Sequence, residues 1–366
     1  MTPSLLAKRL VALGLAFTLG TSPALACTGI GFTTKDGASI SGRTAEFGVD
    51  LELNGLFIPR GQALTGTLPD GGKGLAYTGK YAALGTDAYG ENAIIDGLNE
   101  KGLAAAAFYF PSFAGYASPE GDNKAKAVSP TQFVTWILTQ FATLDEVKAG
   151  LKDVVIVPTT PKGWSAMPPM HYVVYDKSGK AITIEPIDGS FKVYDNPIGV
   201  LTNSPTFDWH LVNLSNYVNL SPFNAPTRDI DGSKFKSFSQ GSGLRGLPGD
   251  FTSPSRFVRA AVFSATAIPS ETPEQGVAQA FHILNQFDIP YGAVRSEDSG
   301  KMDAEWTLGT VVRDQENLVF YIRTYDNPNV RMISMKDQDL DGKEMIKFDI
   351  DTKYEMQDLS GAGTPF

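Results

Sequence analysis

Ala24-Leu25-Ala26-Cys27-Thr28-Gly29 is the stretch on which the reading of this chain turns. It sets the one cysteine of the sequence directly behind a small-residue site of the kind at which secretory leaders are cut. Working outward, Lys8 and Arg9 form a short basic region. Leu10 to Leu19 follow as an apolar segment of leader length, too short and too interrupted by glycine to span a bilayer. Scission after Ala26 would leave a thiol and a free α-amine on one residue. Such an amine titrates near ~7.7–8.0, so at neutral pH it can take the proton that the thiol must lose. Residues 1–27 leave two other readings open. Cys27 is then an odd free thiol, since a lone cysteine closes no internal disulfide, or the lipidated residue of a lipoprotein, although Ala24 stands where that box wants a branched apolar residue.

Residues 1–26 are therefore expected to be a cleaved signal peptide and residues 27–366 a single domain, exported and periplasmic. Hydrophobic residues at 42% and charged residues at only 19% allow a sizeable core and argue against general disorder. Losing Lys8 and Arg9 with the leader takes the formal charge from −9 to −11. A chain that acidic, without a basic run, is a poor partner for nucleic acid or an anionic membrane. No second long apolar stretch follows, so stable membrane insertion after cleavage is not expected.

Strand-like segments open the mature chain: Thr28–Thr34, a turn at Lys35-Asp36-Gly37, then Ala38–Phe47. Leu56–Pro59, Tyr81–Gly85, Ala93–Leu98 and Leu103–Phe110 continue the pattern, and residues 111–128 read as a long loop. Ser129-Pro130-Thr131-Gln132 has the form of a capping box opening a helix to about Phe141, and Thr143 caps a second. His171–Pro186 reads as a hairpin, Asp208–Asn219, Ser255–Ala267 and Pro273–Phe287 as helices, and the C-terminal part as strands again. This order, without strict alternation, indicates an α+β layered fold.

Three motifs are weighed and set aside. Gly241-Ser242-Gly243-Leu244-Arg245-Gly246 matches a dinucleotide fingerprint in letters only, because Pro248-Gly249 follows where its helix should begin. Asp337-Gln338-Asp339-Leu340-Asp341-Gly342 opens like a calcium loop but has Phe348 at the twelfth position. His171, His210 and His282 are not in metal-ligand spacing, so neither metal nor cofactor is expected. A Cys-His dyad through His171 or His210 is conceivable, but their apolar contexts favour structural histidines.

Five further groups of residues carry a resemblance. They are Cys27-Thr28-Gly29; Gly42-Arg43-Thr44-Ala45-Glu46; Asn99-Glu100-Lys101-Gly102-Leu103; Thr202-Asn203-Ser204-Pro205-Thr206-Phe207; and Leu247-Pro248-Gly249-Asp250 leading into Ser253-Pro254-Ser255-Arg256-Phe257. In this order and spacing the chain resembles the choloylglycine hydrolase family, which contains bile salt hydrolases and penicillin V acylases. The resemblance implies an N-terminal nucleophile hydrolase, a four-layer αββα sandwich that cleaves non-peptide amide bonds of N-acylated small molecules, and a homo-oligomer, often a tetramer. It casts Cys27 as nucleophile and Arg43 as the cation beside the thiol. Asn203 becomes an oxyanion donor with the Tyr109 backbone, Arg256 orders the site, and Glu46 stands where many members place an aspartate on the α-amine. Tyr109, with Phe47, Phe108 and Phe110, is expected to line the acyl pocket, and residues 111–128, bearing Phe113 and Tyr116, to form its movable wall. Tyr109 tilts the expectation toward penicillin V or N-acyl homoserine lactones, with conjugated bile salts as the alternative. A non-catalytic, lipid-anchored binding protein is the reading from another class.

Overall fold

The computed structural model describes residues 26–298, 301–350 and 353–362; the expected leader, Ala26 apart, lies outside the described residues. Two antiparallel sheets stack face to face. The first runs Cys27–Thr33, Ser39–Phe47, Lys301–Asp314, Val319–Thr324, Arg331–Ser334, with Val294–Asp298 paired to the long third strand. The second has eight strands in the order Ser190–Asp195, Ala181–Ile187, Met170–Tyr175, Ala104–Tyr109, Asp96–Asn99, Ala83–Asp87, Asn54–Ile58, Ile346–Phe348.

Strand alternation explains the layering. Ala104, Ala106 and Phe108 enter the core shared with the first sheet, while Ala105 and Ala107 enter a second core on the other face. Val173 and Tyr175 divide from Tyr172 and Val174 in the same way. Burial on both faces is why these strands read as unbroken apolar runs rather than as an alternating pattern. Helices α1 (Phe133–Gln140) and α2 (Leu144–Gly150) cover the outer face of the second sheet. After α3 (Phe207–Leu214), helices α4 (Ser253–Thr266) and α5 (Pro273–Leu284) cover the first. The result is the expected αββα sandwich. The two sheets meet closely at the thiol strand: a Cβ on Gly29 would lie 2.7 Å from the Phe108 ring, and one on Gly31 2.5 Å from the ring of Tyr175.

Several boundaries differ from the sequence reading. The Ser129 box forms only its return half, Gln132 Oε1 accepting the Ser129 N–H at 3.1 Å. Gln132 also takes the Thr67 N–H and donates to Thr67 Oγ1, so it clamps a neighbouring strand and the helix starts at Phe133. The hairpin Ala63–Thr67/Lys73–Thr78, absent from that reading, packs there. Thr143 caps its helix as read, and Thr272 caps the helix Pro273–Leu284. Residues 111–128 are not one loop: they contain a 3-10 segment, Gly121–Lys126, and the short strand Ala127–Val128. The glycine-rich motif carries a single 3-10 turn at Ser242–Leu244, and Asp341 in the acidic loop pairs with Arg60.

Candidate active site

Cys27 begins the edge strand of the first sheet and pairs with Ala45, while Gly29 pairs with Arg43 on the adjoining strand. That register brings the guanidinium back over the thiol: Arg43 Nη2 donates to Cys27 Sγ at 2.8 Å. Its other donors are fixed, Nη1 on Ala107 O at 3.0 Å and Nε on Thr44 O at 3.2 Å, and its Cζ lies 4.7 Å from the centre of the Phe108 ring. Burial opposes the Arg43 charge, but Cys27, Asp96 and Glu46 outweigh it and raise the affinity of the guanidinium for its proton.

Asn203 reaches the cysteine from the other side. A two-way bridge between Gly29 and Leu201 hangs residues 202–203 beside Cys27. Asn203 Oδ1 accepts from Cys27 N at 2.8 Å and from Arg256 Nη2 at 2.7 Å, which orients the amide. Its Nδ2 donates one hydrogen to Tyr109 O at 2.7 Å, and the amide has a second N–H to give. Tyr109 N–H shares the strand edge that bears this carbonyl. Arg256, in the first turn of α4, is buried; it donates to the Cys27 carbonyl, to Thr28 Oγ1 at 2.9 Å and to Phe251 O at 2.9 Å.

His171 and His210 are not partners of the thiol. His171 Nε2 faces Thr202 O at 3.0 Å and His210 Nε2 faces Asn203 O at 2.9 Å, so the two rings grip consecutive carbonyls of the Asn203 segment. Burial lowers His210 to about 4, which keeps it neutral and donating. Ser253 Oγ completes the grip by accepting from Asn203 N at 2.9 Å.

With Ala26 attached, the α-amine that Glu46 is expected to bind does not yet exist. While Ala26 is attached, Cys27 N carries one hydrogen, and Asn203 rather than Glu46 receives it. Glu46 is buried; Oε1 accepts from Thr307 Oγ1 at 3.3 Å and Oε2 has no partner. Burial pushes its carboxyl up to about 7 against the pull of Arg256 and Arg43. Glu46 N–H meanwhile holds Ala26 O at 3.0 Å.

A slot of about 50 Å³ opens at Sγ. Phe47, Phe108 and Tyr109 line it as expected. Phe110 does not: it is fully buried and stacks on His171, ring centres 4.2 Å apart, behind the strand end. Nor do Phe113 and Tyr116 form the wall. Phe113 stacks on Phe110, and the Tyr116 hydroxyl is pinned between Pro168 O and Met170 N. The wall comes instead from Leu51, Leu53, Trp164 and Met170, with Trp164 edge-on to both Phe47 and Tyr89. The lone tryptophan in the proline-rich segment before Met170 was the one sequence signal for it.

The profile of the linear amide C–N hydrolases, choloylglycine hydrolase family, matches residues 27–348. The chain belongs to this family. Among choloylglycine hydrolases it is 34% identical to a bile salt hydrolase/transferase from Clostridium perfringens over 321 residues, covering 87% of this chain and 95% of that one. It is 36% identical to a bile salt hydrolase/transferase from Lactiplantibacillus plantarum over 273 residues, covering 73% and 82%. A variant of the conjugated bile acid hydrolase from Clostridium perfringens superposes with a TM-score of 0.80 at 31% identity, covering 91% and 100%. Penicillin V acylase from Agrobacterium tumefaciens does so with 0.70 at 25%, covering 88% and 90%. The chain is thus a choloylglycine hydrolase of N-terminal nucleophile type, an enzyme for linear amide C–N bonds.

Proposed function

We propose that the working enzyme begins at Cys27 and hydrolyses the amide of an N-acylated small molecule through a thioester on Cys27. The observation that carries this is the convergence on one residue: Arg43 on the sulfur, Asn203 on the nitrogen, Arg256 on the carbonyl. Arg43 favours the anionic sulfur, which attacks the acyl carbon. The new oxyanion receives the second Asn203 Nδ2 hydrogen and the Tyr109 N–H. A freed α-ammonium, with three donors, can keep Asn203 Oδ1; the family resemblance offers Glu46, whose Oε2 has no partner, as a second acceptor, and the ammonium protonates the leaving nitrogen. The neutral amine then deprotonates the water that cleaves the thioester. The start of the family match at Cys27 supports this N-terminus. The intact mass of exported protein should correspond to residues 27–366 with an unmodified amine; a diacylglycerol adduct would favour the anchored binding protein.

For the acyl group, the relatives favour conjugated bile salts, against the sequence expectation drawn from Tyr109. The second reading, phenoxyacetyl or long-chain acyl amides such as penicillin V and N-acyl homoserine lactones, draws on the narrow ring-lined slot and on the acylase neighbour. One amine bearing acetyl, hexanoyl, decanoyl, phenoxyacetyl and choloyl groups decides between them. A choloyl preference in kcat/KM supports the first reading, and a preference for decanoyl or phenoxyacetyl the second. Each buried methylene should contribute about 0.8 kcal/mol, and indifference to the acyl group would remove the slot from the mechanism.

A further inference from the structure

Behind Arg43 lies a second ion pair that the mechanism does not use. Asp96, from the strand Asp96–Asn99, places Oδ2 3.8 Å from Arg43 Nε. Its Oδ1 accepts from Arg313 Nη1 at 2.8 Å, on the strand Lys301–Asp314. From the sulfur inward, the row runs thiol, guanidinium, carboxylate, guanidinium, all buried between the sheets. We propose that Asp96 and Arg313 are positioning residues for Arg43, and that through it they set how readily the Cys27 sulfur carries negative charge.

The hydrogen-bond pattern separates this pair from ordinary packing. Arg256, which orders the backbone, spends donors on four acceptors. Among the described residues the Arg313 guanidinium makes one hydrogen bond, to Asp96, while its buried Nε and Nη2 have no partner. Asp96 Oδ2 likewise accepts no hydrogen bond, so its coupling to Arg43 is electrostatic. Desolvating two arginines and a carboxylate is costly unless their charges compensate one another. A sulfur anion at the outer end would bring the four charges to balance. Both Arg43 and Arg313 also lie over aromatic rings, Phe108 and Tyr175, which fixes their planes. Other groups facing this region are Arg256 from α4, Glu46 on the Arg43 strand, Glu305 beyond Arg256, the Tyr175 hydroxyl, and the Cys27 amine once freed. Glu46 and Glu305 are pushed up to about 7 by burial. Their titration is common to all variants and cancels in the comparison below.

The inference rests on Cys27 as nucleophile, but its test does not depend on the substrate. Since the chain has one cysteine, the rate of iodoacetamide alkylation, followed by intact mass against pH, reports a single sulfur. Asp96→Asn removes the negative charge that offsets Arg43, so the midpoint of the alkylation profile should fall by about one pH unit. Asp96→Glu should restore it to within a few tenths, and the Asp96→Asn shift should largely vanish in an Arg43→Gln background. If Asp96→Asn does not accumulate folded, Arg313→Gln reads the row from its far end, with the midpoint moving up. A folded Asp96→Asn or Arg313→Gln variant with the parental midpoint overturns the proposal. Undiminished turnover in Cys27→Ser would instead sink the nucleophile assignment and leave the alkylation result standing.

Discussion

Cys27→Ser, correctly processed, should lose about 10³-fold or more in turnover while its melting temperature stays near that of the parent. The substitution keeps the volume and leaves the backbone partners of residue 27, Asn203 and Arg256, in place. It replaces a sulfur that Arg43 can hold as an anion with a hydroxyl that remains protonated at neutral pH. An α-amine is too weak a base to make up that difference. The comparison needs steady-state rates and a thermal melt on protein whose N-terminus has been checked by mass. Activity within tenfold of the parent would point to another nucleophile.

Asn203→Ala should lower kcat by about 10²–10³ through the oxyanion donor alone, with a smaller change in KM. The structure adds a second loss. Arg256 Nη2 and the Cys27 nitrogen share Asn203 Oδ1, and both would be left without it inside the protein. The melting temperature should therefore fall as well. Asn203→Asp separates the two effects. It retains an acceptor for Arg256 and for the amine, so stability should largely return. A carboxylate cannot donate to Tyr109 O or to the oxyanion, so kcat should stay as low as in the alanine variant. A loss confined to KM in both variants would make Asn203 a substrate-binding residue.

Much of this site was legible because its residues sit in short local motifs. Cys27, Arg43, Asn203 and Arg256 each stand in a stretch that carries the family resemblance, and the structure brings all four into contact. What depends on which distant segments meet was not legible. Trp164, Leu51 and Leu53 become the slot wall only after two distant segments converge on the thiol strand, and no local pattern announces that. Asp96 lies inside the strand read at Ala93–Leu98, and no local pattern marks Arg313 as its partner. Only the stacking of two sheets sets them opposite each other. Phe110 was misread for a related reason. Adjacency in sequence put it with Phe108, but the strand stops at Tyr109 and the next ring turns back onto His171. The capping box at Ser129 was right in its letters, and its glutamine was diverted to a strand that the sequence reading had not anticipated.

The burial of Ala26 bears on when the proposed cut after it can be made. In the folded chain Ala26 and Cys27 are each only 6% exposed; the carbonyl on one side of the bond between them is held by Glu46 and the nitrogen on the other by Asn203. A protease needs an extended, accessible peptide, and here that peptide is a buried part of a sheet. If the working enzyme begins at Cys27, as proposed, an external enzyme has one interval in which to cut, after the chain has emerged and before the sheets close. On that proposal, a molecule that folds first would be locked in a latent state without a terminal amine. The fraction of active protein in any preparation should then depend on the race between cutting and folding. Slower folding would raise the yield of active enzyme.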